Sequence, residues 1–301
     1  MKILIAGGTG LIGRVLTKRL VETNHKVTIL SRSAQPGGLP PSVGVSVWDG
    51  QNRGAWHADV ESADAIINLA GENIGDLPWT NARKVSIRSS RVDAGHALVE
   101  AIRDARHKPA VLLQASAVGY YGTHPDEIFT EDSPPGLDFL SEVGVDWETS
   151  TQAVEALGVR RVLLRTGTVL SPDGGVLPKF MYPVRLMVGG AMGSGRQWVS
   201  WIHMQDEVEA IRFLLENPAA VGAFNLVAPQ PVANAEFVRT LAEVLCKPYW
   251  LTVPAFALQV LLGEMSMLVL DGQHVVPQRL QQMGFQFAYN DLHDALKNLS
   301  Q

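Results

Sequence analysis

Met1-Lys2-Ile3-Leu4-Ile5-Ala6-Gly7-Gly8-Thr9-Gly10-Leu11-Ile12-Gly13 opens the chain. Residues 3–6 are an apolar run of strand type that passes straight into spaced glycines. Beyond them Leu11, Val15 and Leu20 recur near helical spacing, so residues 11–21 read as an amphipathic helix. Glycines between a strand and a helix have separable jobs. Gly7 permits a tight turn, Gly10 lets backbone approach a pyrophosphate, and Gly13 lets the helix lie close to the strand. The helix N-terminus then offers free N–H groups and the positive end of its dipole to phosphate. A dinucleotide site is expected here, built from Gly7, Thr9, Gly10, Leu11, Ile12 and Gly13.

The second strand, residues 26–30, decides which dinucleotide. An Asp or Glu at its end would accept from the ribose 2′-hydroxyl. The chain instead reads Ser31-Arg32-Ser33. A carboxylate there would repel a 2′-phosphate, whereas Arg32 offers a fork of N–H donors and Ser31 a hydroxyl. NADP(H) is expected over NAD(H).

Further strands are expected at residues 45–48, 65–71, 110–115 and 161–165, with a long helix over 83–103. Strands alternating with helices imply right-handed βαβ units, so the fold class is α/β, a doubly wound parallel (Rossmann) sheet. Ligands of such sheets sit at the carboxyl ends of the strands. That gathers the glycine turn, Ser31, Arg32, Leu69, Ala70, Gly71, Ser116 to Tyr121 and Arg165 around one crevice. From about residue 171 the composition changes. Gly174, Gly175, Gly189, Gly190, Gly193 and Gly195 punctuate a stretch that carries Trp198, Trp201 and His203. Helical stretches at 235–245 and 254–270, the latter reading as one packed helix, complete a smaller lobe. The expected division is a cofactor-binding domain over 1–170 and a smaller C-terminal α/β substrate lobe over 171–301, with parts of the sheet shared.

Composition narrows the function. A net charge of −5 with no Lys/Arg run gives no electrostatic case for nucleic acid. The single cysteine, Cys246, can form neither an intramolecular disulfide nor a zinc site alone. The first apolar run is short and glycine-rich, and Gln259 and Glu264 interrupt the longest one, so neither a leader nor a membrane span is expected. A cytoplasmic protein acting on a small molecule follows, with a homodimer as a compatible assembly.

At this point the residues resemble a known family. The chain is similar over nearly its whole length to the extended short-chain dehydrogenase/reductases. More narrowly it looks like their atypical epimerase-family branch, the nucleoside-diphosphate-sugar epimerase-like proteins. The likeness rests on Gly7 to Gly13, on Asn68-Leu69-Ala70-Gly71-Glu72-Asn73-Ile74 and on Tyr120-Tyr121-Gly122. It also uses Gly193 to Trp198, Trp201-Ile202-His203, Phe224-Asn225 and Gly272-Gln273-x-Val275-x-Pro277.

The resemblance implies a Tyr phenol as general acid/base with a Lys four residues on, and a Ser beside it to position the substrate oxygen. None of the five tyrosines here has a lysine four residues later. Leu140 falls in the tyrosine position and Gly144 in the lysine position. Ser116 keeps the serine position, and Arg91 stands where the superfamily usually has a structural asparagine. Arg91, like Arg165, is expected to meet the cofactor. The remaining donors near Ser116 are Tyr120 and Tyr121; Tyr121 is preferred, because Gly122 frees the backbone to aim its ring. His203 is the next donor, and Trp198 and Trp201 are candidate stacking faces. Two functions stay open: an NADP(H)-dependent oxidoreductase or epimerase acting on a small polar or nucleotide-sugar-like substrate, and a catalytically idle NADP(H)-binding sensor.

Overall fold

Seven parallel strands organise the chain in a computed structural model that describes residues 1–124 and 126–300. In order they begin with β1 (Lys2–Ala6), α1 (Leu11–Glu22), β2 (Lys26–Ser31), β3 (Gly44–Val47), α2 (His57–Ser62) and β4 (Ala65–Asn68). There follow α3 (Asn81–Asp104), β5 (Val111–Ala117) and α4 (Phe139–Thr149), and then the strand Arg160–Thr166. The last strand of the sheet, Gly222–Leu226, comes after the helix Met204–Glu216 and lies outside Arg160–Thr166. Across the sheet the order runs Gly222–Leu226, Arg160–Thr166, β5, β4, β1, β2, β3, every pair parallel. The order reverses beside β1, which places a crevice at the carboxyl end of that strand.

Burial explains why these runs are strands. Residues 3–6 and 65–68 are buried throughout, because both faces of a central parallel strand are covered. Alternate residues go to opposite cores. Ile3, Ile5, Ile67 and Leu113 pack against Leu16 and Leu20 of α1 and Val208 and Ile211 of the helix Met204–Glu216. Leu4, Ala6, Ile66 and Leu112 pack against Val60 of α2 and Leu98 and Ile102 of α3. A third core, with Leu170, Phe180, Trp201, Phe237 and Leu296, holds the smaller C-terminal lobe.

Two expected elements differ. The strand read over 65–71 ends at Asn68. There the Asn68 side chain accepts from the Ala70 N–H at 3.1 Å and turns the chain. The stretch 254–270 is not one packed helix. It divides into Ala255–Leu262, a 3₁₀ turn Gly263–Ser266 and Met267–Leu270, with the break at Gly263, whose φ is +58°. Phe256, Val260 and Leu261 stay 69%, 85% and 79% exposed. Among the described residues, no helix is long and apolar enough to cross a membrane.

Candidate cofactor and reaction site

The three glycines of the first turn are required for different reasons. Gly7 has φ +79°, and a Cβ there would lie 2.5 Å from the Leu69 carbonyl oxygen at the end of β4. At Gly13 a Cβ would strike the Gly7 carbonyl and come within 2.7 Å of Gly8 Cα, so the first turn of α1 sits against the loop below it. Gly10 is exposed, and a Cβ there would meet only the Gly7 carbonyl, at 3.3 Å. It is the N-cap of α1, with no side-chain cap and no acidic residue in the following turn. A side chain at Gly10 would therefore project into the crevice, beside first-turn N–H groups aimed at an anion. The residues fit a dinucleotide pyrophosphate.

Arg14, one turn into α1, extends this cradle. Its Nε donates to the Thr9 carbonyl and its Nη1 to the Gly37 carbonyl, both at 2.7 Å. Gly38, with φ +77°, allows that approach because any side chain would collide with the guanidinium. Arg14 thus ties the phosphate turn to the loop after β2, which begins at Arg32 beside Ser31. The buried Ser31 hydroxyl accepts from the Ser33 N–H at 3.1 Å, and Arg32 is exposed. From the smaller lobe, Gly174 and Gly175 reach the Leu11 side chain.

Beyond β4, Arg91 braces the chain at Leu69, Ala70 and Gly71. It is buried, donates from Nη1 to the Ile87 carbonyl at 2.8 Å and from Nη2 to the Glu72 carbonyl at 2.9 Å, and lies 4.8 Å over the Trp147 ring. Burial pulls its pKa down to about 10. Its hydrogen bonds in the fold are thus to backbone, and Gly71 lies against its side chain. The buried Asn68 and Gln114 side chains, bonded at 2.9 Å, tie the ends of β4 and β5 together.

A buried polar chain lies at the ends of β5 and its neighbour. Ser116 pairs in register with Arg165, and its hydroxyl donates to Glu148 Oε1 at 2.7 Å. Arg165 donates from Nε to Glu148 Oε1 at 2.8 Å and from Nη2 to Oε2 at 3.0 Å. Its Nη1 donates to the Tyr121 hydroxyl at 3.0 Å and the Glu131 carbonyl at 3.2 Å. Burial pulls the Arg165 pKa down, but the bonds and charge of Glu148 outweigh it and raise it overall. The Tyr121 hydroxyl donates in turn to Asn225 Oδ1 at 2.6 Å. Glu131, which no sequence pattern marked, accepts the Asn225 and Arg279 N–H groups at 3.1 and 3.2 Å and has its pKa raised by burial.

Comparisons with known proteins agree with this geometry. Residues 3–227 match the NAD dependent epimerase/dehydratase family, and residues 253–299 match a domain of unknown function, DUF1731. The chain belongs to that epimerase/dehydratase family. It is 41% identical over 300 residues to the epimerase family protein YfhF of Bacillus subtilis (strain 168), covering 99% of this chain and 98% of the relative. The chloroplastic SDR39U1 homolog of Arabidopsis thaliana is 39% identical over 309 residues, covering 100% and 87%. A crystal structure of the human epimerase family protein SDR39U1 with NADPH superposes with TM-score 0.91 at 33% identity, covering 100% of this chain and 99% of the other. The protein has the fold of the nicotinamide-dependent epimerases and dehydratases.

The positions where the resemblance implies the acid and its lysine, Leu140 and Gly144, are set against neighbouring elements. Leu140 joins Trp79, Ile87, Val143 and Met265 in an apolar cluster. At Gly144 a Cβ would lie 3.2 Å from Tyr120 Cα and 3.3 Å from Tyr120 Cβ. A side chain at this position would press on Tyr120, because α4 lies against the 3₁₀ turn Val118–Tyr121. Tyr121, expected at the reacting end, is instead closed into the interior. Gly122 does turn the chain, at φ +70°, but it turns the ring inward to stack on Phe129 at 5.2 Å. Burial pushes the Tyr121 phenol up to about 12. His203 is also held inside: its Nδ1 accepts from the Gln205 N–H at 3.0 Å and caps the helix Met204–Glu216. Burial lowers its pKa, and its other nitrogen meets Asn298 at 3.2 Å. Trp201 is fully buried and cannot serve as a stacking face, while the Trp198 ring lies tilted against His274 with centroids 4.0 Å apart.

Proposed function

We propose that this protein binds NADP(H) in preference to NAD(H) and transfers hydride to or from a small polar carbonyl or alcohol, nucleotide-sugar-like molecules included. One pairing carries the reading: an open phosphate turn at Gly10 and a cation, Arg32, with no acid at the end of β2. The first-turn amides of α1 would hold the pyrophosphate, and Arg32 with Ser31 would meet a 2′-phosphate. Arg14 holds these two elements together. When bound, a nicotinamide supplies or accepts the hydride; the chain orients it and keeps water from the reacting carbon. The human relative's complex with NADPH supports the cofactor choice.

Calorimetric titration of both cofactors tests the reading. NADPH should bind at least about tenfold more tightly than NADH, since a charge-assisted phosphate contact contributes roughly 1.5–3 kcal/mol. Arg32→Ala should remove most of that preference, and equal affinities in the parent protein would overturn the assignment. A panel of aldehydes, ketones and nucleotide sugars, followed by loss of dihydronicotinamide absorbance, tests the chemistry.

One observation favours a second reading, a cofactor-binding sensor without turnover. The Ser116 and Tyr121 protons are both given to protein acceptors, and Leu140 and Gly144 replace the acid and its lysine. Tight NADPH binding with no turnover across the panel would support it.

A further inference from the structure

Tyr120 and Tyr121 are adjacent but face different surroundings. The Tyr121 hydroxyl is buried between Asn225 and Arg165. Tyr120 is half-buried at the carboxyl end of β5, and among the described residues no protein group hydrogen-bonds its hydroxyl. Its ring is nevertheless held firmly. The Arg165 guanidinium lies over one face, 3.6 Å from the centroid, and the Tyr121 ring meets it edge-on at 5.4 Å. Arg165 cannot swing away, because Nε, Nη1 and Nη2 are all engaged by Glu148, Tyr121 and Glu131. On the α4 side, the bare Cα of Gly144 makes the space that the Tyr120 backbone fills.

We propose that Tyr120 is the proton donor and acceptor of the reaction, with Arg165 on its ring face in place of the missing lysine. The proposal rests on the oxidoreductase reading above and names the group that reading left open. In the reducing direction the substrate carbonyl carbon gains a hydride from the dihydronicotinamide, and the C=O π bond opens. The carbonyl oxygen takes the Tyr120 phenolic proton, so the carbonyl becomes an alcohol and the nicotinamide is oxidised. Water at the crevice mouth then returns a proton to the phenolate. Arg165 holds the ring still and sets a positive charge against it at the moment the phenol becomes anionic. The bidentate bond to Glu148 keeps the guanidinium over the ring. The departure from the superfamily pattern is then coordinated: glycine at 144 removes the lysine and admits Tyr120 of the adjoining 3₁₀ turn.

Two measurements test it. Nitration by tetranitromethane, read by mass spectrometry on the full chain with and without saturating NADP⁺, should show Tyr120 modified in the free protein. With the cofactor bound, Tyr120 should be protected at least fivefold, while the exposed Tyr182 reacts equally in both states. Nitration of Tyr120 unchanged by bound NADP⁺ would overturn the placement. Tyr120→Phe keeps the ring that Arg165 stacks on and removes only the hydroxyl. It should lower kcat for carbonyl reduction by about 10²-fold or more, with melting temperature and NADPH affinity unchanged within twofold. Tyr182→Phe should leave the rate unchanged. Full activity in a folded Tyr120→Phe protein refutes this proposal alone. A parent protein that reduces no carbonyl defeats the oxidoreductase reading, and the proton role falls with it.

Discussion

Arg165 and Glu148 form a two-pronged ion pair inside the protein, with Nε–Oε1 at 2.8 Å and Nη2–Oε2 at 3.0 Å and side chains only 6% and 10% exposed. One partner comes from the strand Arg160–Thr166 and the other from α4, so the pair fastens the helix over the reaction end of the sheet. Removing one member leaves the other charge buried without its counterpart. Arg165→Ala or Glu148→Ala should each destabilise the fold by about 3–5 kcal/mol. Denaturant titration checks this; a loss below about 1 kcal/mol would mean the pair is solvated in solution. Glu148→Gln, which keeps the shape and the acceptor oxygen, should cost less than Glu148→Ala.

Gly10 and Gly13 should separate binding from folding. Gly10→Val should abolish NADPH binding and leave the melting temperature near that of the parent, since its side chain enters the crevice rather than the core. Gly13→Ala should instead destabilise the protein, by about 1–3 kcal/mol, because its methyl meets the backbone of Gly7 and Gly8. NADPH fluorescence and thermal melting on both variants are the measurements. A folded Gly10→Val protein that still enhances NADPH fluorescence would show that the turn is not the phosphate cradle.

Arg14→Ala should loosen the link between the phosphate turn and the loop after β2. The Thr9 carbonyl belongs to the phosphate turn, which NADPH and NADH share, and the Gly37 carbonyl to the loop that follows Arg32. Affinity for both cofactors should therefore fall, for NADPH by a factor of about ten, the worth of a charged hydrogen bond. Unchanged affinities would remove Arg14 from the site. A fall for NADPH alone would mean that its guanidinium meets the 2′-phosphate directly.

Glu207 gives a pH signature. It is fully buried, accepts from the Thr166 hydroxyl at 2.9 Å, and burial raises its pKa from 4.5 to about 8. A carboxyl whose folded pKa lies above its unfolded value is favoured in the fold while protonated. Its contribution is whole below pH 4.5 and is lost as pH rises through about 8. Glu207→Gln mimics the protonated form. The stability difference between variant and parent should grow in favour of the variant across that window and then level off. Denaturation midpoints at several pH values measure it, and a flat difference would mean Glu207 is ionised in the fold.

The cofactor half of the site was legible in the sequence because its signals are local. The strand, the three glycines and the helix are contiguous. Their requirements, a positive φ at Gly7 and a missing Cβ at Gly13, follow from neighbours within a few residues or on the next strand. The reaction half was less legible because its contacts are distant in the chain. Ser116, Glu148 and Arg165 meet across 32 and 17 residues, and Tyr121 meets Asn225 across 104. Glu131 carries no local pattern at all, and the apolar run 254–270 looked like a core helix until packing left its first half exposed.

Sequence alone determined the parallel sheet, the glycine cradle, the missing acid after β2 and the missing lysine four residues after any tyrosine, since each depends on residue type at short spacing. Only the tertiary structure decided which of two neighbouring phenols is closed into the interior. Tyr120 and Tyr121 are chemically identical side chains on one 3₁₀ turn. What separates them is Phe129 and Asn225 drawing one ring inward, and Arg165 and Gly144 holding the other at the strand end. No local pattern encodes that difference, because it arises from four residues brought to one point by the fold.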